Sequence, residues 1–333
     1  MMSKRRIAIV CLKLTVAGAM LVWLCHKIDL GLAWTRLRDS NRWPIAVAIL
    51  VCLGTVVISG WRWHRLLRVV QITIPLTALI CIAQIGQFFM IFLPGPTGDD
   101  LTRMLYISRL APGHVAESCM TVLIDRCLGL ASVLALAVLW IPWQWSTLST
   151  TPQTHWLAVI VLSAGASVCL GGVLFFAAGQ PTHLWLQKRL RALPPHSLRE
   201  GAVRIWGLLC VNKKPLAKVI AAAIGTQLFL CLVFYLAGVS VGIYIPLLSW
   251  LTFVPIVLAA NAVPITFAGI GVREYLLVLF LRVSGVESER ALAASFVVFV
   301  IILIVSLCGG VLYLFYKPRA KQADLAVESA TES

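Results

Sequence analysis

Charge is what this 333-residue chain has least of: Asp, Glu, Lys and Arg make up 12%, about half the share of an ordinary soluble domain. Acids are scarcer still, 13 against 28 bases. The ten cysteines include no CxxC pair, and nearly all fall inside apolar runs (Cys11, Cys52, Cys81, Cys119, Cys169, Cys231, Cys308). The six histidines show no ligand spacing. Both facts argue against structural zinc and leave the thiols as small apolar filler. A Walker loop is missing, which removes ATP hydrolysis within this chain. The Gly269-Ile270-Gly271 segment follows no strand and lacks a third glycine in place, so it is not a dinucleotide fingerprint. No catalytic residue, metal or cofactor is therefore expected.

What is abundant is apolar: 60% of residues are hydrophobic, with a mean hydropathy of +0.93. About 20 mostly apolar residues cross a hydrocarbon core of about 30 Å. Six runs are that long, at about 7–26, 43–61, 115–141, 156–178, 217–239 and 291–316. Two further regions, about 76–111 and 246–285, are apolar but broken in their middles by Pro and Gly. The first run is longer than a signal-peptide core and has no small-x-small cleavage site, so it reads as an uncleaved helix. Residues 1–316 form a single membrane domain on this reading, and 317–333 a disordered polar cytoplasmic tail.

The net charge of +15 does not imply nucleic acid, because the bases cluster in short loops beside apolar runs. That is the positive-inside pattern. Lys4, Arg5 and Arg6 put the N-terminus inside; Arg62, Arg65 and Arg68 mark the next inside loop; so do the bases of 179–218 and of 317–321. The uncharged segments 142–154 and 240–246 suit the outside. Segment 26–42 is assigned outside against its own bases (Lys27, Arg36, Arg38, Arg42), because its neighbours leave little choice. Parity then requires region 76–111 to begin and end inside, and region 246–285 to begin and end outside. Each is a hairpin whose irregular tip must be buried in protein or line a wet cavity.

The expected fold is thus all-α and polytopic: six spanning helices plus two broken, re-entrant helical hairpins in an inverted-topology repeat, with halves at about 1–148 and 155–316. Transporters of that plan place substrate where broken helices meet.

The first tip holds Pro94, Gly98, Asp99, Asp100 and Arg103; the second holds Pro264, Gly269, Gly271, Arg273 and Glu274. In each, Pro precedes Arg by nine residues. Proline stops the incoming helix and glycine permits the turn. Thr97 or Asp99 could cap the outgoing helix and leave a positive dipole end that attracts an anion such as phosphate. Ordinary capped loops would use the same residues. Within run 115–141, Glu117, Thr121 and Asp125 recur every four residues as one polar stripe. Asp125, followed by Arg126, would lie roughly 13 Å deep at 1.5 Å per residue. Arg126 is expected to pair with Asp99 or Asp100, and Arg103 and Arg273 to face a shared cavity. A purely structural ion pair is the alternative. Trp61-Arg62-Trp63-His64-Arg65 reads as an interfacial anchor.

The stretches WRWHRLL, FLPGPTGDDLTRMLYISR, VLIDRCLGL and PITFAGIGVREYLLVLFLRVSGV together resemble the flippase-like membrane domain family, the transmembrane region of lysylphosphatidylglycerol synthase, over about 5–316. The resemblance implies a lipid-translocase fold and makes Asp99, Arg103, Asp125, Arg126, Arg273 and Glu274 the family's polar positions. Thr97-Gly98-Asp99 departs from the family's usual Gly-Gly-Asp. The synthase's aminoacyl-transferring domain has no counterpart here, so lysine transfer is not carried over.

The leading expectation is a non-enzymatic lipid translocase in the plasma (inner) membrane, multi-pass, with both termini cytoplasmic. Its partners would be membrane lipids, polyprenyl-linked or phospholipid, and no nucleic acid. Two alternatives stand beside it. One is an intramembrane phosphatase or transferase acting on polyprenyl or lipid phosphates, although the tips lack a serine nucleophile and no apolar run carries a paired E-x-x-x-E. The other is a non-transporting subunit of a membrane transferase. Homo-oligomers fit any of these.

Overall fold

The computed structural model describes residues 40–91, 97–177, 207, 213–262 and 272–316. The expected first span at 7–26, the tail, and the tip residues Pro94, Pro264, Gly269 and Gly271 lie outside them. Among the described residues the regular structure is helical. Helices α1 (Arg42–Val69), α2 (Leu76–Met90), α3 (Thr97–Leu110) and α4 (Val115–Trp140) come first. Then follow α5 (Trp145–Leu148), α6 (Pro152–Ala177), α7 (Lys213–Ser240), α8 (Leu247–Asn261), α9 (Val272–Val283) and α10 (Ser288–Phe315).

Among the described residues, five stretches are long and apolar enough to cross a membrane: Arg42–Val69, Pro112–Leu148, Pro152–Ala177, Lys213–Ser240 and Ser288–Phe315. They coincide with five of the six expected runs. The two interrupted regions resolve as pairs of short helices, α2 with α3 and α8 with α9. At 15, 14, 15 and 12 residues, none reaches the length of a perpendicular crossing.

Two boundaries differ from expectation. Run 43–61 continues as helix to Val69, through Arg62, Arg65 and Arg68. Arginine is a good helix former, so the helix outlasts its hydrophobicity. Segment 142–154, read as a loop, is wound as a 3₁₀ turn (Ile141–Gln144) and α5 before α6 begins. Pro142 enters where that turn starts, a position that needs no N–H donor.

Helices α1 and α7 are both 28 residues long, and α2 and α8 both 15. One offset carries Arg42, Val69, Leu76 and Met90 onto Lys213, Ser240, Leu247 and Asn261. The stops between them match as well. Ile72 N–H donates to Leu67 O and Ile243 N–H to Gly238 O, each at 2.9 Å. The residue before each donor is left-handed, Gln71 at φ 61 and Gly242 at φ 78. These are Schellman closures. Pro75 and Pro246 then open α2 and α8.

Packing follows the same exchange. Helix α1 lies on α7; α2 packs on α10 as α8 packs on α4; α1 meets α10 as α7 meets α4; α3 lies on α4 as α9 lies on α10. The α1–α7 pair is antiparallel, because Asn41 N–H at the start of α1 donates to Ser240 O at the end of α7 (2.8 Å). Between them Ala48, Cys52, Val56, Cys231, Phe234 and Ala237 form part of the main core. Glycines let helix backbones approach. A side chain at Gly309 would collide with the Gln84 carbonyl, and the Gln84 amide donates across the same α2–α10 contact to Val305 O. Small residues at crossings are how membrane helices gain packing energy without a hydrophobic driving force between them.

Candidate functional site

Helix α3 begins at Thr97 and places Asp99 and Asp100 in its first turn and Arg103 one turn later. Carboxylates there complement the helix dipole. The positive end that the sequence offered to an external anion thus already faces two internal ones. Gly98 fits tightly against the carbonyl of Phe89, and Gly86 leaves room for the Asp99 carboxylate. Helix α2 therefore holds the acids in place from behind.

Arg103 is 5% exposed and shared among three helices. Its Nε donates to Asp99 Oδ1 (2.8 Å), its Nη1 to Asp125 Oδ2 (3.3 Å) and its Nη2 to Ser59 Oγ of α1 (3.1 Å). The guanidinium carbon lies 5.5 Å from the centre of the Trp63 ring, within cation–π range. Asp125, from α4, also accepts two bonds from Arg62: Nε to Oδ1 at 2.5 Å and Nη2 to Oδ2 at 2.9 Å. Trp63 Nε1 donates to Thr121 Oγ1 at 3.1 Å.

The result is an alternating chain, Arg62–Asp125–Arg103–Asp99, neutral overall and buried but for a partly exposed Asp99. Arg126 and Asp100 pair beside it at 3.5 Å, as expected from the sequence. Asp125 lies about 15 Å along α4 from Val115. At such depth two acids and two bases persist only by satisfying one another.

Arg62 and Trp63 correct the sequence reading, which made them an interfacial anchor. Trp63 is fully buried and Arg62 only 6% exposed. They lie about two turns inside the end of α1, and only packing against α4 reveals the bidentate partner. The one sequence signal was that Arg62 and Trp63 sit on the same helix face as Val56 and Ser59. Arg62 Nη1 is buried without a hydrogen-bond partner among the described residues. The polar stripe of α4 is Ser118, Thr121 and Asp125, all buried; Glu117 is half-buried at its start.

In the second hairpin, Arg273 is 3% exposed. Its Nη2 donates to Glu274 Oε1 at 2.7 Å, and its guanidinium carbon lies 5.8 Å from the centre of the Phe299 ring. Phe299 packs in turn with Ile91, the residue that ends α2 at the first tip. The two hairpins therefore approach each other through one aromatic ring. Among the described residues, no group of three or more His, Cys, Asp or Glu is placed to hold a metal.

The Arg126–Asp100 pair is the exposed member, with side chains 32% and 21% accessible. Arg126→Gln is expected to lower stability by less than about 1 kcal/mol, as partly solvated pairs do. Thermal melts in detergent will check this. A loss as large as that from an Asp125 variant would make the pair part of the buried chain.

The fold and site together define a polytopic α-helical membrane protein with a neutralised charge network inside its helix bundle. The family model described as the lysylphosphatidylglycerol synthase TM region matches residues 10–310, and the chain belongs to that family. No curated protein matches the sequence.

Proposed function

We propose that this chain is a lipid translocase of the plasma (inner) membrane, moving a lipid with a charged or bulky head group between leaflets and carrying out no chemistry of its own. One observation carries the reading. A closed set of opposite charges is buried where a hairpin too short to cross the bilayer meets two long helices. Such a set gives a polar head somewhere to travel while acyl chains stay in lipid.

The transport topology we infer has six spans, with run 7–26 supplying the sixth, two re-entrant hairpins and cytoplasmic termini. The two tracts would be inverted copies. In support, helix lengths and Schellman stops recur at one offset, and the equivalent helices α1 and α7 run antiparallel. On this plan Val70→Cys and Pro112→Cys, in a cysteine-free background, label from the same side of the membrane. Labelling from opposite sides would overturn the hairpin. Membrane transferases and a second copy of the chain remain candidate partners.

Proteoliposomes carrying a fluorescent head-labelled phospholipid and quenched from outside test the function. The expected result is quenching of the inner-leaflet pool at a rate that depends on protein and falls more than about tenfold in Arg103→Gln. Release of phosphate from a lipid phosphate without movement between leaflets would replace the transport reading by an intramembrane phosphatase.

A further inference from the structure

The two hairpin arginines are equipped differently. Arg103 uses Nε, Nη1 and Nη2 on acceptors from α3, α4 and α1. Arg273 is just as buried, yet among the described residues its one hydrogen bond runs to Glu274, the next residue in the chain. Its Nε is buried with no partner among them. A guanidinium carries five N–H donors, and an orphaned buried donor is destabilising unless something accepts from it.

No neighbouring helix supplies the missing acceptor charge. Of the helices packed on α9, α5 and α8 contain no acid, and α10 contains only Glu289 in its first turn. Position Phe299 on α10 offers Arg273 a ring face rather than a carboxylate. One turn earlier on the same face, Ser295 Oγ is fully buried and also without a partner among the described residues. Arg273 is moreover the second residue of α9, a 12-residue helix whose first-turn N–H groups and dipole favour an anion.

We infer that Arg273, over the Phe299 ring at the start of α9, is the receptor for a phosphate oxyanion, with Glu274 as the counter-ion that the phosphate displaces. The planar guanidinium suits a phosphate's paired oxygens. Glu274 is adjacent in sequence and more exposed than Arg273, 23% against 4% for the side chains, so of the two it is the one an incoming anion meets and displaces. Arg103, by contrast, already has an acceptor on each of its three guanidinium nitrogens. The inference rests on the transport reading for its substrate class, the phosphate of a lipid head group, but the binding site stands or falls separately.

The full-length protein in detergent is titrated calorimetrically with dihexanoyl phosphatidylglycerol, with dihexanoylglycerol lacking the phosphate, and with sodium phosphate. The phosphate-bearing lipid is expected to bind and the neutral lipid to bind at least about tenfold more weakly. Arg273→Gln should weaken phospholipid binding about 10- to 100-fold, the range for losing charge-assisted bonds. Arg273→Lys should recover part of it. Glu274→Gln removes the competing carboxylate and should tighten binding several-fold, a gain that misfolding cannot imitate. Equal binding by wild type and Arg273→Gln, or weaker binding by Glu274→Gln, overturns the assignment. Sodium phosphate binding in an Arg273-dependent way as tightly as the phospholipid would identify a free oxyanion as the occupant of the same receptor. Arg273-dependent binding without lipid movement in proteoliposomes would sink transport and keep the site. Movement without such binding would do the reverse.

Discussion

Asp125→Asn is expected to destabilise the protein by about 3–5 kcal/mol, the range for removing one partner of a buried ion pair. Asp125 receives both Arg62 and Arg103, so one substitution leaves two buried guanidinium groups short of a counter-charge. Arg103 keeps Asp99 and Ser59, whereas among the described residues Arg62 has no second acid and already one unpartnered nitrogen. Most of the loss should therefore come through Arg62. A double-mutant cycle of Arg62→Gln with Asp125→Asn should show strong coupling, the double variant being more stable than the two single losses add up to. Thermal unfolding in detergent measures it. Additive losses would mean that the pair does not hold α1 to α4, and the site as described would fail.

Gly98→Val should cost about 3 kcal/mol, at the upper end for overpacking a tight contact. The obstacle is the backbone carbonyl of Phe89, which has no rotamer to move into. Helix α3 would have to slide away from α2, taking Asp99 and Arg103 with it. Lipid movement should then fall together with the melting temperature. Gly86→Ala makes a useful contrast, because the added methyl meets the Asp99 carboxylate first, with backbone only behind it. It should disturb the Asp99–Arg103 bond while leaving the hairpin seated. If Gly98→Val melts within about 0.5 kcal/mol of wild type, the ordinary scatter of surface substitutions, the α2–α3 contact is not constraining.

These effects bear on how much of the site could be read before the structure. The Arg126–Asp100 pair was legible because a base deep inside an apolar run needs an acid, and the tip just before that run supplies two. Arg62 was not. Its neighbours Trp61, His64 and Arg65 have the composition of an interfacial belt, and part of that reading holds: Arg65 lies 5.1 Å from the Trp61 ring centre. A helix surface has several faces, and composition does not say which one meets a partner. Only the rotation of α1 against α4 sends Arg62 inward and Arg65 toward the rim. The phosphate-attracting end expected at the first tip was likewise a property of backbone alone, and the two acids of its own first turn already face it.

What the residues dictated on their own was the medium and the partition of the chain. Apolar length is set by bilayer thickness, so runs of that length announce spans wherever they occur, and Pro-Gly breaks announce where a span cannot be continuous. Helix stops, too, are local: the Schellman closures after Leu67 and Gly238 involve only neighbours in sequence. Tertiary structure alone decided which charges meet. Arg62 and Asp125 are distant in sequence, and their bond depends on how α1 and α4 are rotated and set in depth, quantities fixed by glycine contacts and core packing across several helices at once. It also decided that every guanidinium nitrogen of Arg103 has an acceptor while Arg273 Nε has none among the described residues, a difference invisible in two matching Pro-to-Arg spacings because acceptors are supplied by neighbours in space.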